Sequence, residues 1–272
     1  MSLVFSTLIA WSLFILQSTP LSAEENFLLL NGLTSEVVLE FGPHIDKRIS
    51  PCSTFKMTLS LMGYDAGILL NENTPILNYK EGYDDFIESW KSPQTPLSWM
   101  KYSCVWYAKL LALQLGSEKI QNYLALFNYG NQDISGGLPN PGPINPAWIN
   151  SSLTISPREQ VRFIQSVILN KLPISSHATQ MTRALLFKEE SLDGWKLFGK
   201  TGWSGSDLSK DGKTLEHGGF IGWIEKDDNF FPFAYLIREQ KIDLDQRIPR
   251  VKQLLTESNV MTYGEGHATN HH

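Results

Sequence analysis

Ser53-Thr54-Phe55-Lys56 opens an apolar pattern of helical period that runs to about Tyr64. Residues three apart on an α-helix share a face and lie one turn from each other, so the Ser53 hydroxyl and the Lys56 amine are expected to be neighbours. A lysine in its neutral form can take the proton of that serine. The spacing therefore predicts a nucleophile and its base for acyl transfer on a reactive carbonyl.

The spacing alone does not identify a site, because Ser98 and Lys101 repeat it in the same chain. Four further signals accompany the first pair: Ser103-Cys104-Val105, Tyr129-Gly130-Asn131, Trp148 ahead of a serine-rich run, and Lys200-Thr201-Gly202. Each one alone fits an ordinary turn, a helix C-cap or a core aromatic residue. Their occurrence together in this order favours a function, and the second pair is interpreted as a coincidence of spacing.

Composition limits the class of protein. The chain has 272 residues, of which 42% are hydrophobic and 19% charged, as in ordinary globular proteins. A net charge of −5 argues against a nucleic-acid partner, which requires a basic face. The six histidines do not show zinc-ligand spacing, so no metal site is expected.

The N-terminus resembles an export signal. Residues 1–23 carry no charged side chain, and the apolar run from Leu3 to Leu16 is shorter than the roughly 20 residues that span a bilayer. Leu21-Ser22-Ala23 is a small-residue cleavage pattern, which predicts a signal peptide cut after Ala23 and a periplasmic mature protein free of the membrane. The missing Lys or Arg before the apolar run leaves a retained membrane anchor as the alternative.

The predicted elements fall into three groups along the chain. Strands are predicted at 27–30, 37–41, 195–200, 220–225 and 231–238, and helices at 53–64, 106–115, 120–127, 157–169 and 247–256. The first two strands are predicted to form a hairpin, Ser156 and Glu159 predict a capping box for the helix at 157–169, and Gly116 separates two helices. Pro93 and Pro96 mark loop, and the loop from Ser204 to Lys213 is expected to shape the pocket. This order predicts an α/β fold of the α+β type, with a mixed, mainly antiparallel sheet made from both chain ends, flanked by helices, and a helical subdomain inserted. We expect one catalytic domain over 24–265, with its sheet part at about 24–52 and 184–265, its helical part at about 53–183, and a tail at 266–272.

The ordered motifs resemble those of the penicillin-recognising serine enzymes, which pair Ser-x-x-Lys with a later Lys-Thr-Gly strand. Within that superfamily the chain is similar to the class D serine β-lactamases, the oxacillinase family. The distinguishing residues are Tyr129-Gly130-Asn131 and Ser103-Cys104-Val105, with valine where transpeptidases and class A enzymes usually carry asparagine. The runs 51–56 and 147–156 match as well, so the resemblance covers nearly all of the mature chain.

The resemblance implies a serine β-lactamase that hydrolyses the β-lactam amide through an acyl-enzyme on Ser53. In this family the motif lysine reacts with CO₂, which makes Lys56 an N6-carboxylysine and the general base of both half-reactions. CO₂ or bicarbonate is then required, but no other cofactor. The residues fit this chemistry, because Phe55, Val105 and Trp148 are apolar neighbours that would lower the lysine pKa. The indole N–H of Trp148 can only donate, so it can hold the carbamate.

The resemblance also assigns roles to the later motifs. Ser103 relays a proton to the leaving nitrogen, and Lys200 supplies positive charge for the substrate carboxylate. The backbone N–H groups of Ser53 and Trp203 form the oxyanion hole. Substrate contacts are expected from Val105, Tyr129, Asn131, Thr201, Gly202, Trp203 and Arg247. Arg247 is the best match to the family's carboxylate clamp, with Arg250 as the second candidate.

Two other functions remain open from the sequence. One is a β-lactam sensor domain that stays acylated, and the other is a cell-wall transpeptidase or carboxypeptidase. The expected partners of the predicted enzyme are small-molecule β-lactam substrates, and a monomer and a homodimer are both compatible with the sequence. Cys52 and Cys104 are two small buried side chains or, if their segments meet, a disulfide.

Overall fold

Strands from both ends of the chain form one six-stranded sheet in the computed structural model, which describes residues 23–191, 193–205 and 214–260. The described strands are β1 (Glu24–Leu30), β2 (Val37–Phe41), β3 (Phe187–Glu190), β4 (Lys196–Trp203), β5 (Glu216–Lys226) and β6 (Asn229–Glu239). They lie in the order β2-β1-β6-β5-β4-β3, and all of these neighbours pair antiparallel. The predicted fold class is confirmed. The signal segment 1–22 and the tail from 261 lie outside the described residues.

Most of the described helices lie between β2 and β3 in the chain. They are α1 (Phe55–Asp65), α2 (Pro96–Tyr102), α3 (Val105–Leu115), α4 (Ser117–Leu126), α5 (Pro157–Ile168), α6 (Ser176–Leu186) and, after the last strand, α7 (Arg247–Glu257). Short 3₁₀ turns occupy Cys52–Thr54 and Glu88–Lys91. Within the described ranges, no helix combines the length and apolarity needed to cross a bilayer.

The sheet separates two apolar cores, because successive side chains of a strand point to opposite faces. Leu28 of β1 belongs to the core shared with the helices α1 to α6, whereas Phe27 and Leu29 belong to the smaller core under α7. Helix α1 lies at the centre of the larger core, and every residue from Phe55 to Tyr64 is buried. A buried helix of this kind holds its side chains in fixed positions, which suits a catalytic lysine.

Two helix starts follow from local sequence. At α5, Ser156 and Glu159 form the predicted capping box, with a proline at the first helical position. The sequence marks Pro96 as loop, and this prediction is wrong: Thr95 and Ser98 form a second capping box there, and Pro96 begins α2. The Ser98 hydroxyl accepts from the Thr95 backbone N–H at 2.8 Å, so Ser98 serves to cap α2. Its Ser-x-x-Lys spacing to Lys101 comes from this capping position.

Strand β4 is longer than predicted. The sequence places the strand's end at Lys200, but β4 continues to Trp203, with Thr201 opposite Phe220 and Trp203 opposite Gly218 of β5. Sequence reasoning assigned no element to 176–190, where α6 and β3 lie. Strand β3 is a four-residue edge strand with little apolar content, so it carries almost none of the periodicity on which strand prediction depends.

Candidate active site

Ser53 and Lys56 meet at the start of α1. Ser53 lies in the 3₁₀ turn Cys52–Thr54 and Lys56 in the first turn of the helix, which leaves the Lys56 Nζ 2.9 Å from the Ser53 Oγ. Cys52 adopts a left-handed conformation with φ of +49°, which turns the chain into this segment. The predicted nucleophile and base are therefore in direct contact.

The Lys56 side chain is completely buried. Burial lowers the pKa of its amine to about 8, because the charged form loses hydration. Cys52 and Cys104 lie free and buried nearby, and burial raises the pKa of their thiols to about 11 and about 12. Both thiols are thus neutral at physiological pH and give the ammonium form of Lys56 no counter-charge.

Trp148 packs against the same corner of the core. Its ring centroid lies 5.2 Å from that of Phe55, and its carbonyl oxygen accepts hydrogen bonds from the Cys52 N–H and the Ser50 hydroxyl, each at 2.8 Å. The indole N–H is buried and has no hydrogen-bond partner among the described residues. An unpaired buried donor is costly, so this N–H is available to an acceptor that comes within reach.

Ser103 and Val105 reach the site from the junction of α2 and α3. Ser103 has φ of +58°, a left-handed conformation that ends α2 and directs the chain into α3 two residues later. A non-glycine residue held in this region costs free energy, and such residues cluster at functional sites. Both Ser103 and Val105 line the same cleft as Ser53.

Strand β4 brings the Lys-Thr-Gly motif alongside the nucleophile. The Lys200 side chain is buried, and its Nζ donates to the Thr201 carbonyl oxygen at 2.9 Å. Burial, and then the positive charges of Lys56, Lys188 and Arg247, hold the pKa of Lys200 well below its usual range. A substrate anion beside Lys200 would favour its charged form, because an opposite charge raises the pKa of a lysine.

Gly202 and Trp203 form the C-terminal end of β4, next to the 3₁₀ turn that carries Ser53. A Cβ atom at Gly202 would lie 2.9 Å from the Thr54 methyl carbon and 3.0 Å from the Pro51 carbonyl oxygen. Only glycine allows the strand backbone to approach the nucleophile this closely. The Trp203 indole N–H donates to the buried Glu216 carboxylate at 3.0 Å.

The two arginines at α7 occupy different surroundings. Arg247 lines the cleft, donates to the Gly202 carbonyl oxygen at 2.7 Å and has its pKa lowered by burial. Arg250 makes two 3.0 Å hydrogen bonds to the Glu25 carboxylate and lies outside the cleft lining. Arg247 is therefore the arginine placed to meet a substrate.

These residues surround an open cleft of about 690 Å³. The predicted residues on its wall are Ser53, Ser103, Val105, Thr201, Gly202, Trp203 and Arg247. Lys56, Trp148 and Lys200 are buried behind it. The loop from Ser204 to Lys213, expected to shape the pocket, is described only at Ser204 and Gly205, and both line the cleft.

Tyr129 and Asn131 lie elsewhere. The Tyr129 ring is buried between Phe55 and Phe163, at centroid distances of 5.6 and 5.2 Å. The Asn131 side chain donates to the Ser152 carbonyl oxygen at 2.7 Å and accepts from the Thr154 N–H at 2.9 Å. Asn131 supports the segment that follows Trp148, Tyr129 packs behind the start of α1, and the structure does not bring either residue to the cleft wall.

Sequence reasoning missed the outer wall of the cleft. This wall consists of residues 82–87, Trp90, Gly142, Pro143 and Asn145. Ile149 and Asn150 also line the cleft. The run Tyr83-Asp84-Asp85-Phe86 places aromatic and acidic side chains in an irregular segment, which was the available signal. Asn150 donates to the Ser204 carbonyl oxygen at 2.5 Å and so connects the Trp148 loop with the end of β4.

Comparison with known proteins decides the family. The family model described as the penicillin-binding protein transpeptidase domain matches residues 37–256. The β-lactamase OXA-9 of Klebsiella pneumoniae is 33% identical over 238 residues, which is 86% of this chain and 86% of that protein. The chain belongs to the class D β-lactamases. It is a serine hydrolase of β-lactams, as its motifs predict.

Solved structures of class D β-lactamases share the fold. The OXA-427 class D β-lactamase superimposes with a TM-score of 0.74 at 34% identity, covering 86% of this chain and 99% of that one. A second kind of relative is the regulatory protein BlaR1 of Bacillus licheniformis. It is 30% identical over 222 residues, which is 81% of this chain and 34% of the regulatory protein.

Proposed function

We propose that this class D β-lactamase opens the β-lactam ring by attack of Ser53 and that carboxylated Lys56 is the base in both half-reactions. The observation that supports this most strongly is the buried Lys56 amine, 2.9 Å from the Ser53 Oγ and with a pKa of about 8. A neutral amine is what reaction with CO₂ requires. The carbamate would supply an anionic base at this position, and the unpaired indole N–H of Trp148 is the donor that would hold it.

In the first half-reaction the Ser53 oxygen bonds to the lactam carbonyl carbon and the ring C–N bond breaks. The Ser53 proton is taken by the base at residue 56, and the ring nitrogen receives a proton by way of the Ser103 hydroxyl. Backbone N–H groups of Ser53 and Trp203 stabilise the negative charge that develops on the carbonyl oxygen. In the second half-reaction the base at residue 56 takes a proton from water as the water oxygen bonds to the ester carbon. The bond from that carbon to the Ser53 oxygen then breaks, and the base gives the proton to Ser53.

Positive charge on the β4 side binds the substrate carboxylate. Lys200 and Arg247 supply the charge and Thr201 a hydroxyl contact, while Val105 keeps the lysine's surroundings apolar. Arg247 is fixed by its hydrogen bonds to the Gly202 and Leu244 carbonyl oxygens, at 2.7 and 2.8 Å. A guanidinium held in this way can receive a carboxylate without much loss of side-chain entropy.

The alternative function is a β-lactam sensor that stays acylated. The similarity to the regulatory protein BlaR1 makes this the second candidate. Pre-steady-state hydrolysis of a chromogenic cephalosporin separates the two. An enzyme gives many turnovers per Ser53 at a constant rate, and Ser53→Ala abolishes them. A burst of one product per protein, followed by very slow turnover, would support the sensor or a transpeptidase and contradict the proposal.

We also propose that residues 1–23 direct export to the periplasm and are removed there. Their support is the sequence pattern: an uncharged, mostly apolar run followed by Leu21-Ser22-Ala23. N-terminal sequencing of the protein recovered from the periplasm should begin at Glu24. Recovery of the full-length chain in the membrane fraction would instead support a retained anchor.

A further inference from the structure

A buried ion pair lies behind the outer wall of the cleft. The Lys109 side chain, on α3, is 1% exposed, and its Nζ lies 3.0 Å from the Asp84 carboxylate oxygens. The same ammonium group donates to the Gly142 carbonyl oxygen at 2.6 Å. Lys109 lies one helical turn beyond Val105 on α3. Val105 lines the cleft, and Lys109 forms the ion pair one turn later.

The pair joins two irregular segments to one rigid helix. Asp84 belongs to the segment 82–87 and Gly142 to the segment 142–145, and both residues line the cleft. The Gly142 backbone N–H also donates to the Asp84 carboxylate, at 3.3 Å. Both segments are therefore tied by the same two charged side chains, with Lys109 anchored in α3, and the Tyr83 ring adds a contact to Trp106 of that helix, at a centroid distance of 5.6 Å.

Asp84 also fixes the residue that spans the cleft entrance. Phe86, two residues further on, has a 75% exposed side chain, and its ring centroid lies 6.2 Å from that of Trp203 on the opposite wall. An exposed ring of this kind is not held by the core. The position of the Phe86 ring therefore depends on the position of the backbone at Asp84, whose side chain bonds to Lys109.

We propose that the Lys109–Asp84 ion pair is a positioning device that holds the outer wall, and with it Phe86, at a set distance from β4, and so determines which acyl side chains the enzyme accepts. Breaking the pair leaves the wall free to move outwards, which gives room to bulky side chains at the expense of close packing around small ones. A change in room of about one methylene group alters selectivity on the order of tenfold.

The pair has a second effect, which a purely structural tie would lack. The negative charge of Asp84 raises the pKa of Lys56 and the positive charge of Lys109 lowers it, so the two oppose each other. The Cys52 and Cys104 thiols, which burial keeps neutral, also lie there, as does Lys200 of β4. Removal of Asp84 and removal of Lys109 should therefore shift the acid limb of the pH profile in opposite directions.

The test compares Lys109→Met and Asp84→Asn with Lys119→Met, the same change at an exposed position of α4. For each variant, kcat/KM is measured for benzylpenicillin and for the bulkier oxacillin, which share the nucleus and carboxylate. Both pair variants should raise the oxacillin-to-benzylpenicillin ratio on the order of tenfold, and Lys119→Met should leave it unchanged. An unchanged ratio in the pair variants, including an equal loss for both substrates, would overturn the proposal.

The pH profile is the second arm and rests on the proposed role of Lys56 as base. Lys109→Met leaves Asp84 uncompensated, so the acid limb of kcat/KM should move to higher pH, and Asp84→Asn should move it to lower pH. Shifts in the same direction, or none, would contradict the electrostatic part. The selectivity arm does not require carboxylation of Lys56, so it separates a failure of this inference from a failure of the proposed mechanism. If Lys109→Met does not fold, Asp84→Asn decides both arms.

Discussion

At the scale of single residues, the proposed chemistry depends on a lysine amine that loses its proton easily inside the protein. A pKa of about 8 at Lys56, compared with about 10.4 for a free lysine, increases the neutral fraction at pH 7 roughly two hundredfold. The nearby thiols cannot reverse this, since burial keeps both of them protonated. Lys56 is therefore prepared both to receive the Ser53 proton and to react with CO₂.

Trp148→Phe tests whether the unpaired indole N–H acts on the base. Phenylalanine keeps an aromatic ring against Phe55 and removes only the donor, so the neighbouring core should remain packed. We expect deacylation to slow by roughly tenfold or more, the worth of one hydrogen bond to a charged group, while acylation changes less. Mass spectrometry during turnover should then show accumulated acyl-enzyme.

Trp99→Phe is the matched control for that experiment. Trp99 is also fully buried with an unpaired indole N–H, but its ring stacks on Tyr107 in the helical core. It should not cause acyl-enzyme to accumulate. Equal loss of acylation and deacylation in Trp148→Phe would count against a role for this N–H in holding the base.

At the scale of elements, three short contacts assemble the site. The 3₁₀ turn with Ser53 bonds to the Trp148 loop through the Cys52 N–H, and β4 packs against the same turn at Gly202. Helix α7 is joined to β4 by the hydrogen bond from Arg247 to the Gly202 carbonyl oxygen. The proposed nucleophile, oxyanion donors and carboxylate clamp thus share one backbone junction.

Arg247→Ala and Arg250→Ala separate two roles of α7. Arg247 faces the cleft, so its loss should raise KM for carboxylated β-lactams roughly tenfold to a hundredfold, with a smaller change in kcat. Arg250 pairs with Glu25, so its loss should leave KM nearly unchanged and lower the melting temperature slightly. Steady-state kinetics and thermal melts distinguish them, and the reverse pattern would show that the clamp is misassigned.

Several elements could be predicted from local sequence and others could not. The hairpin β1–β2, the capping box of α5 and the helix break at Gly116 have signals that lie within a few residues. Pro96 was misjudged because a proline fits both a loop and the first position of a helix. The separation of Arg247 from Arg250 depends on which side of α7 meets β4, and only tertiary packing decides that.

At the scale of the whole molecule, ion pairs join segments that are distant in the chain. Arg250 of α7 binds Glu25 of β1, and Arg158 of α5 binds Asp46 at 2.7 Å. Hydrogen bonds from Arg250 lower the pKa of Glu25, and those from Arg158 lower the pKa of Asp46. Strand β1 and the segment that follows β2 are thereby tied to helices on the two faces of the sheet.

These shifts give the stability a defined dependence on pH. A carboxyl group whose pKa is lower in the folded state adds stability above its unfolded pKa, about 4 for Asp and Glu, and this is lost as the pH falls through the folded value. The free energy of unfolding should therefore decline below about pH 4. Because the Arg250–Glu25 pair is partly exposed, Glu25→Gln should cost only about 1 kcal/mol at neutral pH and should make the decline less steep. Urea melts across this range measure both, and an unchanged slope would contradict the assignment.

The site as a whole was predictable in its residue types and only partly in its placement. The motifs at Ser53, Ser103 and Lys200 meet although they lie far apart in sequence, whereas Tyr129 and Asn131 lie outside the cleft, against Phe55 and Ser152. The outer wall carries no comparable motif. Its position depends on Lys109, whose pairing with Asp84 spans 25 residues and leaves no periodic pattern in the sequence.

The proposed mechanism depends on carboxylation of Lys56. The rate of β-lactam hydrolysis against pH, with and without added bicarbonate, tests this modification most directly. After removal of CO₂, the rate should fall as the pH decreases through about 8. Bicarbonate should restore it and move the acid limb to lower pH, in the wild type and equally in Lys101→Ala, which alters the matching Ser-x-x-Lys spacing on α2. A rate indifferent to bicarbonate at every pH would contradict carboxylated Lys56 as the base.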